Sequence, residues 1–240
     1  MDVKALVGAI QESDVDAVVV NLFEGAQPGG ATRAVDDALG GALGELIEGG
    51  DFSGKAGQVA VLYPRGAIPA RRVLVVGLGS REDFDADPAD AVRRAAARAV
   101  QKARDLKAAR VASILHGAGA GGLPIEGAAQ ATTEGSLLGL YRYRGQKTDE
   151  ADEPLPQALE LAVFKEQDVP AVQRGVDAGL AVAAGVALTR DLVNLPPNVC
   201  TPAHMAQVAE QVAEDVGLRI EVLGREEMET LGMGALLALS

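Results

Sequence analysis

Tryptophan is absent from this 240-residue chain, and aromatic residues together make up only 3% of it. A core of any size must therefore be built from Ala, Val and Leu. There is one cysteine, Cys200. It cannot form an internal disulfide, so nothing points to an oxidising compartment. The N-terminus carries acidic residues where a signal peptide needs a basic start and a longer apolar run. The longest uncharged apolar stretch, Ala178 to Leu188, is far too short to cross a bilayer. These absences together predict a cytoplasmic protein with no membrane partner. Basic residues are also scarce, with 22 Lys and Arg against 34 Asp and Glu and a net charge of −12. Phosphate neutralisation needs clustered Lys and Arg in excess, so nucleic-acid binding is disfavoured. The two histidines, His116 and His204, lie on different predicted elements with no ligand spacing to each other or to Cys200. A catalytic zinc site needs about three protein ligands, and no such set is visible.

What is present reads as a globular α/β chain. Hydrophobic residues make up 48% and charged residues 23%, which is wrong for disorder. Asp16 to Leu22 (DAVVVNL) is a short valine-rich run, a buried strand by length and β-branching. Ala31 to Ile47 has apolar residues at helical spacing, stopped by Gly49 and Gly50. Gln58 to Tyr63 and Arg72 to Leu78 are β-rich and separated by Pro64, Gly66 and Pro69, which predicts a hairpin. Pro88 to Leu106 is helical. The acidic run Glu82, Asp83, Asp85, Asp87 and Asp90 precedes the basic cluster Arg93, Arg94, Arg98, Lys102, Arg104, Lys107 and Arg110. Acid before and base after suits the dipole of one solvated helix. Val111 to Leu115 is a strand, Glu126 to Tyr143 a helix and Glu160 to Phe164 a strand. Interleaved strands and helices with one hairpin predict a mixed sheet flanked by helices. The acidic stretch Asp149 to Pro156 is a surface loop or a linker.

Val169 to Val193 is the longest helical segment, and its middle is apolar on every face. A helix apolar all round is covered all round, which places this one between domains or subunits. Gly175, Gly179 and Gly185 within it each cost about 1 kcal/mol relative to Ala, and close backbone packing is the expected compensation. Asn194-Leu195-Pro196-Pro197-Asn198 ends the helix. Thr201 followed by Pro202 is an N-cap with a first-turn proline. It opens a helix from Pro202 to Asp215 that Gly217 stops. Leu218 to Leu223 is then a strand, Glu226 to Leu231 a short helix, and Ala235 to Leu239 an apolar strand. This pattern is a βα unit begun and not finished. An unpaired strand over Ala235 to Leu239 would make residues 202–240 mobile or docked on a neighbour.

Few residues offer chemistry. Gly77-Leu78-Gly79 follows a strand, but the third glycine of a dinucleotide turn is missing and the carboxylates from Glu82 onward would repel a pyrophosphate. Gly117 to Gly122 (GAGAGG) is a flexible loop or, as backbone N–H groups can bind anions, a phosphate cradle. No lysine follows to make a P-loop. Cys200 has no basic neighbour placed to activate it except His204 at a helix start. No catalytic, cofactor-binding or metal residue is assigned within the chain.

The stretch Thr189 to Pro202 (TRDLVNLPPNVCTP) resembles the junction segment of the leucyl aminopeptidases, the cytosol aminopeptidase (M17) family. Leu231 to Ser240 (LGMGALLALS) resembles the next segment of that family at the expected distance, and Pro69 to Gly79 resembles its N-terminal domain. The resemblance implies a macro-domain-like N-terminal domain over 1–166, a connecting helix over 167–195, and the beginning of a peptidase domain over 196–240. It implies a metal-dependent hydrolase that removes N-terminal amino acids from peptides, with two divalent ions, Mn or Zn, and a hexameric assembly. The metal ligands of relatives lie beyond the segment matching Leu231 to Ser240, so none is carried onto this chain. The span is then a scaffold and assembly domain, inactive by itself. An alternative of a different class is a macro-like module whose Gly117 to Gly122 loop holds an ADP-ribose-type phosphate.

Overall fold

The computed structural model describes residues 1–145 and 154–238. In chain order the elements are β1 (Asp2–Val7), β2 (Ala17–Leu22), α1 (Gly30–Ala38), α2 (Ala42–Glu48), β3 (Val59–Leu62), β4 (Val73–Gly77), α3 (Arg81–Ala86), α4 (Pro88–Asp105), β5 (Arg110–Ile114), α5 (Ile125–Leu140), β6 (Ala158–Val163), α6 (Val169–Asn194), α7 (Pro202–Val216), α8 (Arg225–Thr230) and α9 (Gly234–Leu237). Contacts divide them into two compact units, Met1–Thr189 and Arg190–Ser240.

The first unit is built on one sheet of order β1-β6-β5-β2-β4-β3. Among the described strands only β3 runs antiparallel, against β4, so the hairpin expected around Pro64 to Pro69 makes the sheet mixed. The central strands are continuous apolar runs because both of their faces are covered. Along β2, Ala17 and Val19 join one core while Val18, Val20 and Leu22 join the other. Along β4, Leu74 and Val76 face the first core, Val73 and Val75 the second. The first core is closed by α4, α5 and the start of α6 through Ala95, Ala99, Ala129, Val172 and Val176. The second is closed by α1 and α2 through Val35 and Leu43. Small alanines in α4 and α5 let helices lie close, and glycines closer still. A Cβ on Gly135 of α5 would sit 2.2 Å from the Arg93 carbonyl oxygen, and one on Gly175 of α6 2.2 Å from that of Glu126. Gly179 is packed the same way on Thr133, so close approach offsets the cost of these two α6 glycines. Gly185 has open space around it, and packing does not account for it.

Several sequence expectations need correction. β1 carries no clear sequence signal: its end residues, Asp2 and Val7, are exposed, and it is held by pairing with β6. The helix expected over Ala31 to Ile47 is two, because Gly40 and Gly41 take left-handed backbone (φ 69° and 88°) that ends α1 and starts α2. The charged helix expected over Pro88 to Leu106 is α4, Pro88–Asp105, and the carboxylates Glu82, Asp83 and Asp85 ahead of it lie on a separate short helix, α3. Asp87, at φ −149° and ψ 80°, breaks the acidic run, and its side chain accepts from the Asp90 N–H at 3.0 Å to cap α4, with Pro88 at the first turn. Asp87→Ala is expected to lower stability by about 1 kcal/mol, read as a lower midpoint in chemical denaturation with unchanged slope. Nor is the basic cluster wholly solvated: Arg93 pairs with the buried Glu134, and Arg110 with the buried Glu160.

On α6, Gly175, Gly179 and Ala183 are buried, whereas Leu180 and Val182 are 37% and 43% exposed in the chain. In the second unit, Thr201 caps α7 as expected, its Oγ1 accepting from the His204 N–H at 3.3 Å. Leu218 to Leu223 is not a strand: it alternates, but no described strand lies beside it to supply a ladder, and Leu218, Ile220 and Val222 are exposed. Of the strand expected over Ala235 to Leu239, the described residues 235–238 do not form one either. Residues 234–237 form α9, where Leu237 and Ala238 N–H groups reach back to Met233 and Gly234, as the helix propensity of Ala and Leu favours. Leu239, Ser240 and most of the Asp149 to Pro156 stretch lie outside the described residues.

Candidate functional site

Because β1, β6, β5 and β2 are parallel, their C-terminal ends share one edge of the first unit. The chain leaving β2 passes to α1 on one face of the sheet, and the chain leaving β5 passes to α5 on the other. Adjacent strands whose connections diverge in this way leave a crevice, the usual place for a ligand in an open α/β sheet. Here it is a cavity of about 560 Å³. Its walls come from the strand ends (Leu22, Ile114, Val163) and from two glycine-bearing stretches, Gly29–Thr32 and Gly117–Gly121. Lys165 and Asp168 are its charged lining residues, one of each sign.

Beneath the cavity lies a hydrogen-bond chain. His116, fully buried, receives a hydrogen bond at Nδ1 from Asn21 Nδ2 at 3.0 Å, and its Nε2 lies 3.2 Å from Ser113 Oγ. Ser113 Oγ in turn donates to the Ile114 carbonyl at 2.9 Å. Burial pushes the imidazole pKa down to about 4 from its ordinary 6.5, so it stays neutral and donates through Nε2. Ser113 and His116 superficially resemble a nucleophile and its base, yet the serine is buried and its proton is already committed. The relay instead holds Asn21, which lines the cavity. Thr32 Oγ1 donates to the Asn21 carbonyl at 2.8 Å and ties α1 to the end of β2.

The Gly117 to Gly122 loop is shaped by its surroundings. A Cβ at Gly117, where φ is 79°, would lie 2.8 Å from Leu123 and Val92. Phe84 packs edge-on to Phe23 with centroids 4.9 Å apart, and Arg81 lies over both rings while donating to the Ala120 carbonyl. Gly77 and Gly79 serve a different purpose: the backbone at residues 54–56 crosses directly over them. They form a strand-to-helix turn, with Ser80 capping α3 by accepting from the Asp83 N–H at 3.0 Å. In the second unit the Cys200 thiol lies against Met205 Sδ at 3.6 Å. Among the described residues, no three His, Cys, Asp or Glu side chains come together as a metal site, and no helix is long and apolar enough to cross a membrane. The sequence marks the glycine loop by composition but does not single out the Gly29–Thr32 rim or Asn21. The Gly-Gly pair before α1 is the one signal for that rim.

Residues 19–150 match the N-terminal domain of the cytosol aminopeptidase family, and residues 187–240 match the catalytic domain of the same family. This chain belongs to the cytosol aminopeptidase family. A probable cytosol aminopeptidase of Roseiflexus castenholzii is 41% identical over 246 residues, covering 100% of this chain and 46% of the relative. The chain spans about half the length of the curated relatives it matches. Among solved structures, a tomato leucine aminopeptidase mutant shares the fold with a TM-score of 0.80 at 24% identity, over 97% of this chain and 46% of that one. The bottromycin maturation enzyme BotP in complex with Mn has a TM-score of 0.66 at 29% identity, over 91% and 40%. The Oceanobacillus iheyensis macrodomain, solved with ADP, has a TM-score of 0.56 at 17% identity, over 73% and 90%. The macro-like α/β fold expected for this member of the cytosol aminopeptidase family is therefore shown.

Proposed function

We propose that this chain is the N-terminal portion of a metal-dependent leucyl aminopeptidase that releases N-terminal amino acids from peptides in the cytoplasm, and that the described span is its scaffold and assembly part. The observation that carries this reading is the collinear match of both family domains, N-terminal over 19–150 and catalytic over 187–240. Two divalent ions, Mn or Zn, belong to the parent enzyme in this reading, and the BotP complex with Mn is in keeping with it. The described residues do not fit such a centre, having no ligand cluster, so no catalytic step is assigned to them. Exposed Leu180 and Val182 on α6 support a role in assembly, with a hexamer the expected form, because apolar helix faces are covered in stable proteins. The competing reading, a free-standing ADP-ribose module without a peptidase role, has the cavity in its favour and the match over 187–240 against it.

A chimera tests the reading. With this chain replacing the matching portion of the Roseiflexus relative, the hybrid is expected to assemble and to release leucine from a leucyl peptide with added Mn or Zn. A hybrid that is well folded by circular dichroism yet monomeric and inactive contradicts it.

A further inference from the structure

The sheet of the first unit has two edge strands, β3 and β1, and they differ in how they are protected. An uncovered edge is a row of unpaired N–H and C=O groups, which proteins blunt with short strands, proline or charge. β3 is four residues long, and Pro64 lies two residues beyond it. β1 has six residues and no proline. Its pairing fixes which of its groups are free. The Asp2 N–H donates to the Gln157 carbonyl at 2.8 Å and the Gly8 N–H to the Val163 carbonyl at 2.9 Å, so Asp2, Lys4 and Leu6 turn their main chain towards β6. Val3, Ala5 and Val7 turn theirs outward, and among the described residues nothing bonds to them there. Lys4 is the one cation on the strand, yet it does not shield this edge. Its Nζ leans inward over the sheet to Glu160 of β6, 3.4 Å from Oε1.

We propose that β1 pairs antiparallel with β1 of a second copy of this chain, joining the two sheets edge to edge about a two-fold axis at Val3. Charge sets the register. With Val3 opposite Val3 of the second copy, Asp2 faces Lys4 and Lys4 faces Asp2, two opposite-charge cross-strand pairs on one face. On the other face Met1 lies opposite Ala5 on each side of the two valines. Val3 belongs to the first core and Met1 and Ala5 pack against it, so that core continues across the contact. A register two residues longer sets Lys4 against Lys4, which repels. One four residues longer leaves Asp2 opposite Gly8 and Lys4 opposite Leu6, without either ion pair. A shift of a single residue sets outward groups against inward ones and loses the ladder. The contact is the same patch on both copies, and it rests on no part of the peptidase reading.

The mass of the full chain in solution, measured by analytical ultracentrifugation over a dilution series, tests it. A two-fold contact doubles the mass of whatever other contacts assemble. Ala5→Pro removes an outward N–H and leaves the bonds to β6 in place, as proline is tolerated on the free side of an edge strand. It is expected to keep the circular dichroism of the parent and to weaken the association at least about tenfold, because each contact loses two ladder bonds. Asp2→Lys and Lys4→Glu, both at exposed positions, are each expected to weaken it by a similar factor. An equimolar mixture of these two variants is expected to recover it, since each mixed contact again carries two opposite-charge pairs. A change in folding or solubility gives no such recovery. A parent chain no heavier than the folded Ala5→Pro variant, or a mixture of the charge variants that associates no better than either alone, overturns the proposal.

Discussion

Gly77→Ala is expected to be among the most damaging single substitutions in the chain, costing about 3 kcal/mol or more. The new methyl would lie 2.0 Å from the Lys55 carbonyl oxygen and 2.6 Å from the Gly54 carbonyl carbon and oxygen. Both obstacles are main chain, so no rotamer change relieves the clash. The strand must shift instead, and β4 is hydrogen-bonded on both sides, to β2 and β3. The control is another glycine. Gly127 lies in α5, and a Cβ added there would meet nothing within 4 Å. Its conversion to Ala is expected to gain about 0.5–1 kcal/mol through helix propensity alone. Urea denaturation of the two variants, beside the parent chain, reads opposite shifts in midpoint. Equal shifts of the same sign would show that the close approach at Gly77 carries no energetic weight.

The second large effect is acid lability. His116 is neutral in the fold, with its pKa pushed down to about 4, and returns to about 6.5 on unfolding. Above pH 6.5 neither state takes up the proton and the histidine is without effect. As pH falls from 6.5 towards 4 the unfolded chain gains a proton that the folded chain does not, and stability drops progressively, by about 3 kcal/mol in all. A second loss follows at lower pH. Asp16 accepts hydrogen bonds from the Ala109 and Arg110 N–H groups at 2.9 and 3.0 Å, and that of Arg110 is the largest cause holding its carboxyl below the usual 3.8. Its contribution is present above pH 3.8 and is lost as pH falls through the folded value. Denaturation midpoints measured from pH 7 to 4 are expected to fall in the parent chain and to be flat over that window in His116→Gln, whatever its starting stability. A parent chain equally stable at pH 7 and pH 4.5 contradicts the assigned neutral histidine.

How much of this is legible in the sequence depends on what each segment packs against. The runs of β2 and β4 are plain because helices cover both faces of the sheet and no polar residue breaks their apolar centres. Leu218 to Leu223 shows the converse: it alternates well, but alternation states a preference that only a neighbouring strand can satisfy, and the described residues provide none. β1 escapes notice because an edge strand with exposed ends carries little pattern. The break at Gly40–Gly41 is marked by residue type, and periodicity running on both sides conceals it, whereas Pro88 after Asp87 marks the start of α4 in the sequence. At the site, the Gly117 to Gly122 loop is visible as composition. The Asn21–His116–Ser113 relay is not, because Asn21 and His116 lie 95 residues apart and only the pairing of β2 with β5 brings them together.

In the proposed reading, these residues scaffold a peptidase without containing its chemistry. The most direct measurement is leucine release from a leucyl peptide by this purified chain with Mn or Zn added. The predicted result is no release above the protein-free blank at any chain concentration. Release that scales with the chain, stops on chelation of the metal and restarts on its return would contradict it.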